Sequence, residues 1–181
     1  MISARHICLL LVATACGRDA LTPEQEPPVD PCAPVAGKVY VASAPGANFP
    51  SRVFEGLSPD GMFYDTSQPP VAEVIMSTGP GPDRSGAGVE LRFDTLPTTG
   101  TFQHHPQVAF PQVWIRVLTD VSQGPTWEYL DGSGYTLNID AVCPGKTEPG
   151  AQWFTLHGQL RATLQPDSSA AQGELQVVAV F

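Results

Sequence analysis

Phe154-Thr155-Leu156-His157-Gly158-Gln159-Leu160-Arg161-Ala162-Thr163-Leu164 is the stretch that decides the fold. Its even positions are apolar or small and its odd positions are polar. Successive side chains of an extended chain point to opposite faces, so this alternation predicts a strand with one buried side. A helix would scatter the same apolar residues around its circumference.

The pattern recurs on either side. Tyr135, Leu137, Ile139, Ala141 and Cys143 alternate with Thr136, Asn138 and Asp140, and Leu175, Val177, Ala179 and Phe181 alternate with Gln176, Val178 and Val180. Shorter candidates are 37–42, 71–77, 88–93, 111–119 and 126–129. Asp131-Gly132-Ser133-Gly134 and Gln165-Pro166-Asp167-Ser168-Ser169 read as hairpin turns. With 19 prolines and 17 glycines in 181 residues, and no amphipathic helix of useful length, the chain suits short strands and tight turns. The expectation is a single all-β domain over residues 35–181, an antiparallel sandwich or small barrel of about eight strands.

The N-terminus reads differently. Arg5 and His6 precede the apolar run Ile7-Cys8-Leu9-Leu10-Leu11-Val12-Ala13, too short to span a bilayer but of the length of a signal-peptide core. Val12-Ala13-Thr14-Ala15-Cys16 resembles the lipobox of bacterial lipoproteins, with Ala13 in place of the usual leucine. Ala13-Thr14-Ala15 also fits the small-x-small site of ordinary secretory signals, with the same cut. The lipoprotein resemblance implies removal of residues 1–15, a diacylglyceryl group on the Cys16 thiol and often an acyl chain on the new amine. Two or more chains make a lasting membrane anchor where one binds marginally. Gly17 at the next position, where Asp marks inner-membrane retention in enteric bacteria, implies an outer-membrane address.

Cysteine arithmetic agrees with that reading. Cys8 leaves with the signal, and lipid on Cys16 leaves Cys32 and Cys143 as a pair, expected as a disulfide in an oxidising compartment; two buried free thiols are the alternative. Residues 16–34, with Pro23, Pro27, Pro28, Pro31 and Pro34, read as an extended tether whose stretch up to Cys32 reaches about 50 Å at ~3.1 Å per residue.

A net charge of −9, with scattered cations, excludes nucleic-acid binding, which needs clustered Lys and Arg. Adjacent His104 and His105 point opposite ways on an extended chain, and His157 stands alone, so no metal site is expected. Gly132-Ser133-Gly134 lacks the spacing of a nucleophile elbow, and Gly86-Ala87-Gly88 lacks the third glycine of a dinucleotide site. Neither a catalytic residue nor a cofactor is expected, and the chain reads as a binding module rather than an enzyme.

One constellation points to a ligand. By alternation Trp114 and Arg116, Asn138, and Trp153, His157 and Arg161 occupy the polar sides of three strands. If those strands share a sheet, two indoles stand on one outer face among hydrogen-bonding groups, an arrangement that suits stacking on the apolar faces of sugars. The partner expected is a glycan or an envelope protein. A loop or the tether covering either indole is the opposing reading. A purely structural envelope lipoprotein and a small barrel carrying an apolar ligand are the other functional classes.

Overall fold

The computed structural model of the protein describes residues 30–65, 70–78, 83–104, 110–120, 124–128 and 134–181. The signal sequence, Cys16 and the tether up to Val29 lie outside them, as do His105 and Ser133.

The described residues form eleven strands: β1 (Gly37–Ser43), β2 (Arg52–Leu57), β3 (Asp60–Tyr64), β4 (Val71–Ser77), β5 (Gly86–Phe93), β6 (Gly100–Gln103), β7 (Gln112–Leu118), β8 (Thr126–Glu128), β9 (Tyr135–Glu148), β10 (Ala151–Pro166) and β11 (Leu175–Val180). All pair antiparallel in one sheet, so the class is as expected and the count exceeds the expected eight. The three unforeseen strands are β2, β3 and β6. Glu55-Gly56 interrupts the alternation of β2, Asp60-Gly61 at the head of β3 looks like a turn, and β6 is only four residues long.

The long strand β10 organises the rest. One edge pairs with β9; the other pairs first with β3, through Ala151–Thr155, and then with β11, through Gln159–Leu164. From β3 the sheet continues through β4, β5, β7 and β8, and from β11 through β1 to β2. A short pairing of β8 with Gln165 and Pro166 makes the sheet curl into a partial ring rather than a closed barrel. Asp131–Gly134 was expected to join a hairpin. The strands on either side of it, β8 and β9, are not partners, since β9 takes β10 and β6 as its neighbours, and residues 131–133 lie outside the described ones.

Inside the curl, Phe154, Leu156, Leu160 and Leu164 of β10 pack with Val39, Val74, Leu91, Ile115, Leu137, Leu175 and Phe181, all essentially solvent-free. Each such side chain contributes on the order of 1.5–3 kcal/mol over its exposed state. Trp127 is fully buried there and its indole N–H donates to the Gly173 carbonyl at 3.1 Å, which satisfies its one polar group.

Register breaks once where it matters. His157 pairs with Ala141 but Gly158 pairs with Ile139, so Asp140 is the extra residue of a bulge in β9. The inserted residue reverses the facing of everything beyond it. Val142, not Ala141 or Cys143, therefore packs against the core. Cys143 turns to the outer face and bonds to Cys32 as a disulfide with a Cα–Cα distance of 5.6 Å. That bond holds residues 30–36, the end of the expected tether, against the domain. An Asx turn, with the Cys32 N–H donating to Asp30 Oδ1 at 2.9 Å, shapes the segment before the bridge.

Candidate functional site

Paired residues of neighbouring strands share a face, so the registers lay out the exterior of the β10–β3–β4–β5–β7–β8 part as cross-strand rows. One row runs Trp153, Met62, Glu73, Arg92 and Gln112. The next begins with Thr155 and Asp60 on β10 and β3 and ends with Ile75, Glu90 and Trp114 on β4, β5 and β7. A third carries Ser77, Gly88, Arg116 and Glu128.

Trp114 and Ile75 are 45% and 62% exposed, far more than side chains of their size need to be in a well-packed sheet. Between them and Arg116 lies a trough of about 310 Å³, lined also by Ser77, Glu90 and Glu128. Gly88 makes its floor. A Cβ there would meet only the Met76 carbonyl, at 3.8 Å, so the missing side chain leaves an open groove without any backbone demand for glycine.

The charged groups around the trough hold one another in place. Arg92 donates to Glu73 Oε1 at 2.8 Å, lies 3.6 Å from Glu90, and sets its guanidinium 5.8 Å from the centre of the Trp114 ring system. Such a cation–π contact fixes the indole without covering it. On the far side Arg116 pairs with Glu128 through Oε1, the oxygen of that carboxylate that is withdrawn from solvent. The result is an aromatic wall beside oriented donors and acceptors, the chemistry by which a polyhydroxylated ligand is gripped.

The six expected ligand residues do not converge. Trp114 and Arg116 line the trough together. Trp153, 38% exposed, shares their outer face but stands on β10, with β3, β4 and β5 between. Asn138 and Arg161 belong to the other part of the sheet, where Asn138 accepts from Thr101 and donates to Asp140, and Arg161 donates to Gln159. His157, only 7% exposed, lines a separate cleft with Asp60, Thr155 and, from the segment that Cys32 brings in, Pro34 and Val35. Strand order, which alternation does not encode, is what separates them.

The trough also uses residues that were not singled out, Ile75, Gly88, Glu90, Arg92 and Glu128. Their signal was present in the polar phases of 71–77, 88–93 and 126–129, where Ile75 is an apolar residue on the wrong face. Among the described residues no cluster of three or more His, Cys, Asp or Glu could hold a metal ion.

No protein-family model, no curated protein and no solved structure matches this chain.

Proposed function

We propose that the chain is an envelope lipoprotein, held to the outer membrane by lipid on Cys16, whose β domain binds glycan in the trough beside Trp114. The observation that carries the reading is the exposed indole over the glycine-floored groove, with Arg116, Glu90 and Glu128 already oriented around it. Stacking on the indole would remove apolar area from water on both partners, while the flanking charged groups meet the hydroxyls. The interior of the curl is filled by side chains such as Trp127, Phe154 and Phe181, which supports a surface site over the carriage of an apolar ligand inside. The Cys32–Cys143 disulfide supports a compartment outside the cytoplasm, and it leaves Cys16 as the thiol available for acylation.

The test is intrinsic fluorescence with cello- and chito-oligosaccharides. Wild type is expected to shift with ligand, and Trp114→Ala to bind at least about tenfold more weakly, a loss of roughly 1.4 kcal/mol. Binding unchanged by that substitution would remove Trp114 from the site. Intact mass of membrane-extracted protein tests the anchor, and a Cys16→Ser variant that still fractionates with membranes would refute it.

A further inference from the structure

We infer that the cleft beside the Cys32–Cys143 disulfide binds a small primary amine with an apolar body, through Asp60 and His157. This site is separate from the trough beside Trp114 and does not depend on the glycan reading.

Two neighbouring segments build it. Thr155 of β10 pairs with Asp60 of β3, and the Leu156 N–H donates to the Pro59 carbonyl at 3.0 Å. The antiparallel ladder thus runs on past the start of β3 and sets His157 opposite Ser58. Side chains two residues apart on an extended chain share a face, so Ser58, Asp60, Thr155 and His157 form one local group. On the other edge of β10, Cys143 pairs with Thr155, and its bond to Cys32 brings Pro34 and Val35 to the same place. The cleft among them has a volume of about 500 Å³, within the range of small-molecule sites.

His157 shows that something is to be bound there. It is only 7% exposed, and none of the described residues hydrogen-bonds its ring. Yet its nitrogens are not sealed in, because the one sealed and unpartnered side-chain nitrogen or oxygen among the described residues is Glu128 Oε1. They open into the cleft that the ring lines. Buried imidazoles ordinarily find hydrogen-bond partners, and here the partner must come from the occupant of the cleft.

Asp60 sets the charge of that occupant. The Ser58 hydroxyl donates to its Oδ2 at 2.6 Å and the Thr155 hydroxyl to its Oδ1 at 2.9 Å, which orients the carboxylate. Each oxygen keeps a lone pair for a further donor. Because Ser58 donates to Asp60 and not to His157, the group is not a nucleophile with its base. No Lys or Arg is among the described residues that line the cleft, so an anion would meet a carboxylate and no counter-charge. An ammonium group gains an ion pair with Asp60 and has further N–H groups for His157. A trimethylammonium group has no N–H to give, and no described Phe, Tyr or Trp lines the cleft to hold it by a ring face. Pro34, Val35, Leu57 and Pro59 supply the apolar walls.

The experiment titrates the whole protein with phenethylamine, its trimethylammonium counterpart and hydrocinnamate, read by calorimetry and by the His157 ring signals in NMR. Phenethylamine is expected to bind at least about tenfold more tightly than either analogue and to shift the His157 signals. Asp60→Asn should weaken it by about tenfold and His157→Gln by about fivefold, with melting temperature and circular dichroism to check that each is folded. Val35→Lys alters a side chain that is 49% exposed and leaves the buried residues alone. It should weaken phenethylamine by about fivefold and narrow the gap to hydrocinnamate. No binding of phenethylamine, equal binding of the three probes, or binding that Asp60→Asn and Val35→Lys leave unchanged would overturn the proposal. Binding abolished by Trp114→Ala would assign the amine to the trough and overturn it as well.

Discussion

His157 stands opposite Ala141 in the β9–β10 ladder, and both are buried although neither belongs to the core. His157 lines a cleft with Pro34, Val35 and Ala36 of the segment that the Cys32–Cys143 bond fastens to the domain. No hydrogen-bond partner for the His157 ring is found among the described residues, so its burial depends on packing rather than on a polar contact.

Removing the disulfide should therefore have two separable effects. A Cys32→Ala/Cys143→Ala variant is expected to lose about 2–5 kcal/mol, because the bond closes a loop of 111 residues in the unfolded chain. It should also expose His157 while the sheet stays folded. Denaturant unfolding reads the first, and diethyl pyrocarbonate labelling of the His157 peptide under native conditions reads the second. Equal labelling with and without the disulfide would mean that the segment stays down unaided.

Two glycines facing different surroundings give a paired prediction. At Gly158, next to the β9 bulge, a Cβ would fall 2.1 Å from the Asn138 carbonyl oxygen, and backbone cannot yield as a flexible side chain does. Gly158→Ala is expected to cost about 1–3 kcal/mol or more. At Gly88 a Cβ meets nothing closer than 3.8 Å, so Gly88→Val should leave stability unchanged or raise it by about 0.5–1 kcal/mol while filling the trough. Thermal melts compare the two, and oligosaccharide titration of Gly88→Val asks whether the groove is the site. Wild-type binding by Gly88→Val would place the ligand elsewhere.

Alternation made most of the sheet legible. The run 71–77 is β4 to the residue, and the long apolar phases of β10 and β11 point inward as read. What alternation could not reveal is where one strand carries an extra residue. Nothing in Ile139-Asp140-Ala141 announces a bulge, so Ala141 and Cys143 were placed with Ile139 on the core side when they face outward. Nor does a period of two encode neighbours. Trp114 and Trp153 were correctly placed on polar phases, but their separation by three strands follows from β10 choosing β3, a strand whose opening Asp60-Gly61 resembles a turn. The site was thus half visible, as residue types without an arrangement.

The three tryptophans differ enough in surroundings to be counted in solution. Trp127 is solvent-free and donates to Gly173, whereas Trp114 and Trp153 are 45% and 38% exposed. Acrylamide should quench two of the three emitters and leave a blue-shifted remainder. That remainder should vanish in Trp127→Phe, which also leaves the Gly173 carbonyl without its donor at a cost of about 1–3 kcal/mol. Complete quenching of the wild type would contradict the burial of Trp127, and uniform protection would contradict the exposure of the candidate site.

Acid should loosen one identifiable clasp. Asp83, at the foot of the β4–β5 connection, accepts hydrogen bonds from the Ser85 hydroxyl at 2.6 Å and from Arg52 of β2 at 2.6 Å. These hold its carboxyl at about 2, below the usual 3.8, with Ser85 the larger cause. A lowered value means that the folded chain favours the carboxylate. The stability it contributes is complete above about pH 4 and is lost as pH falls through 2. Asp83 is solvent-exposed and the ion pair is screened by salt, so the effect should shrink at high ionic strength. Unfolding midpoints measured between pH 5 and 2 should therefore fall less steeply for Asp83→Asn than for wild type. Parallel pH profiles for the two proteins would show that Arg52 and Ser85 do not hold the carboxylate in solution.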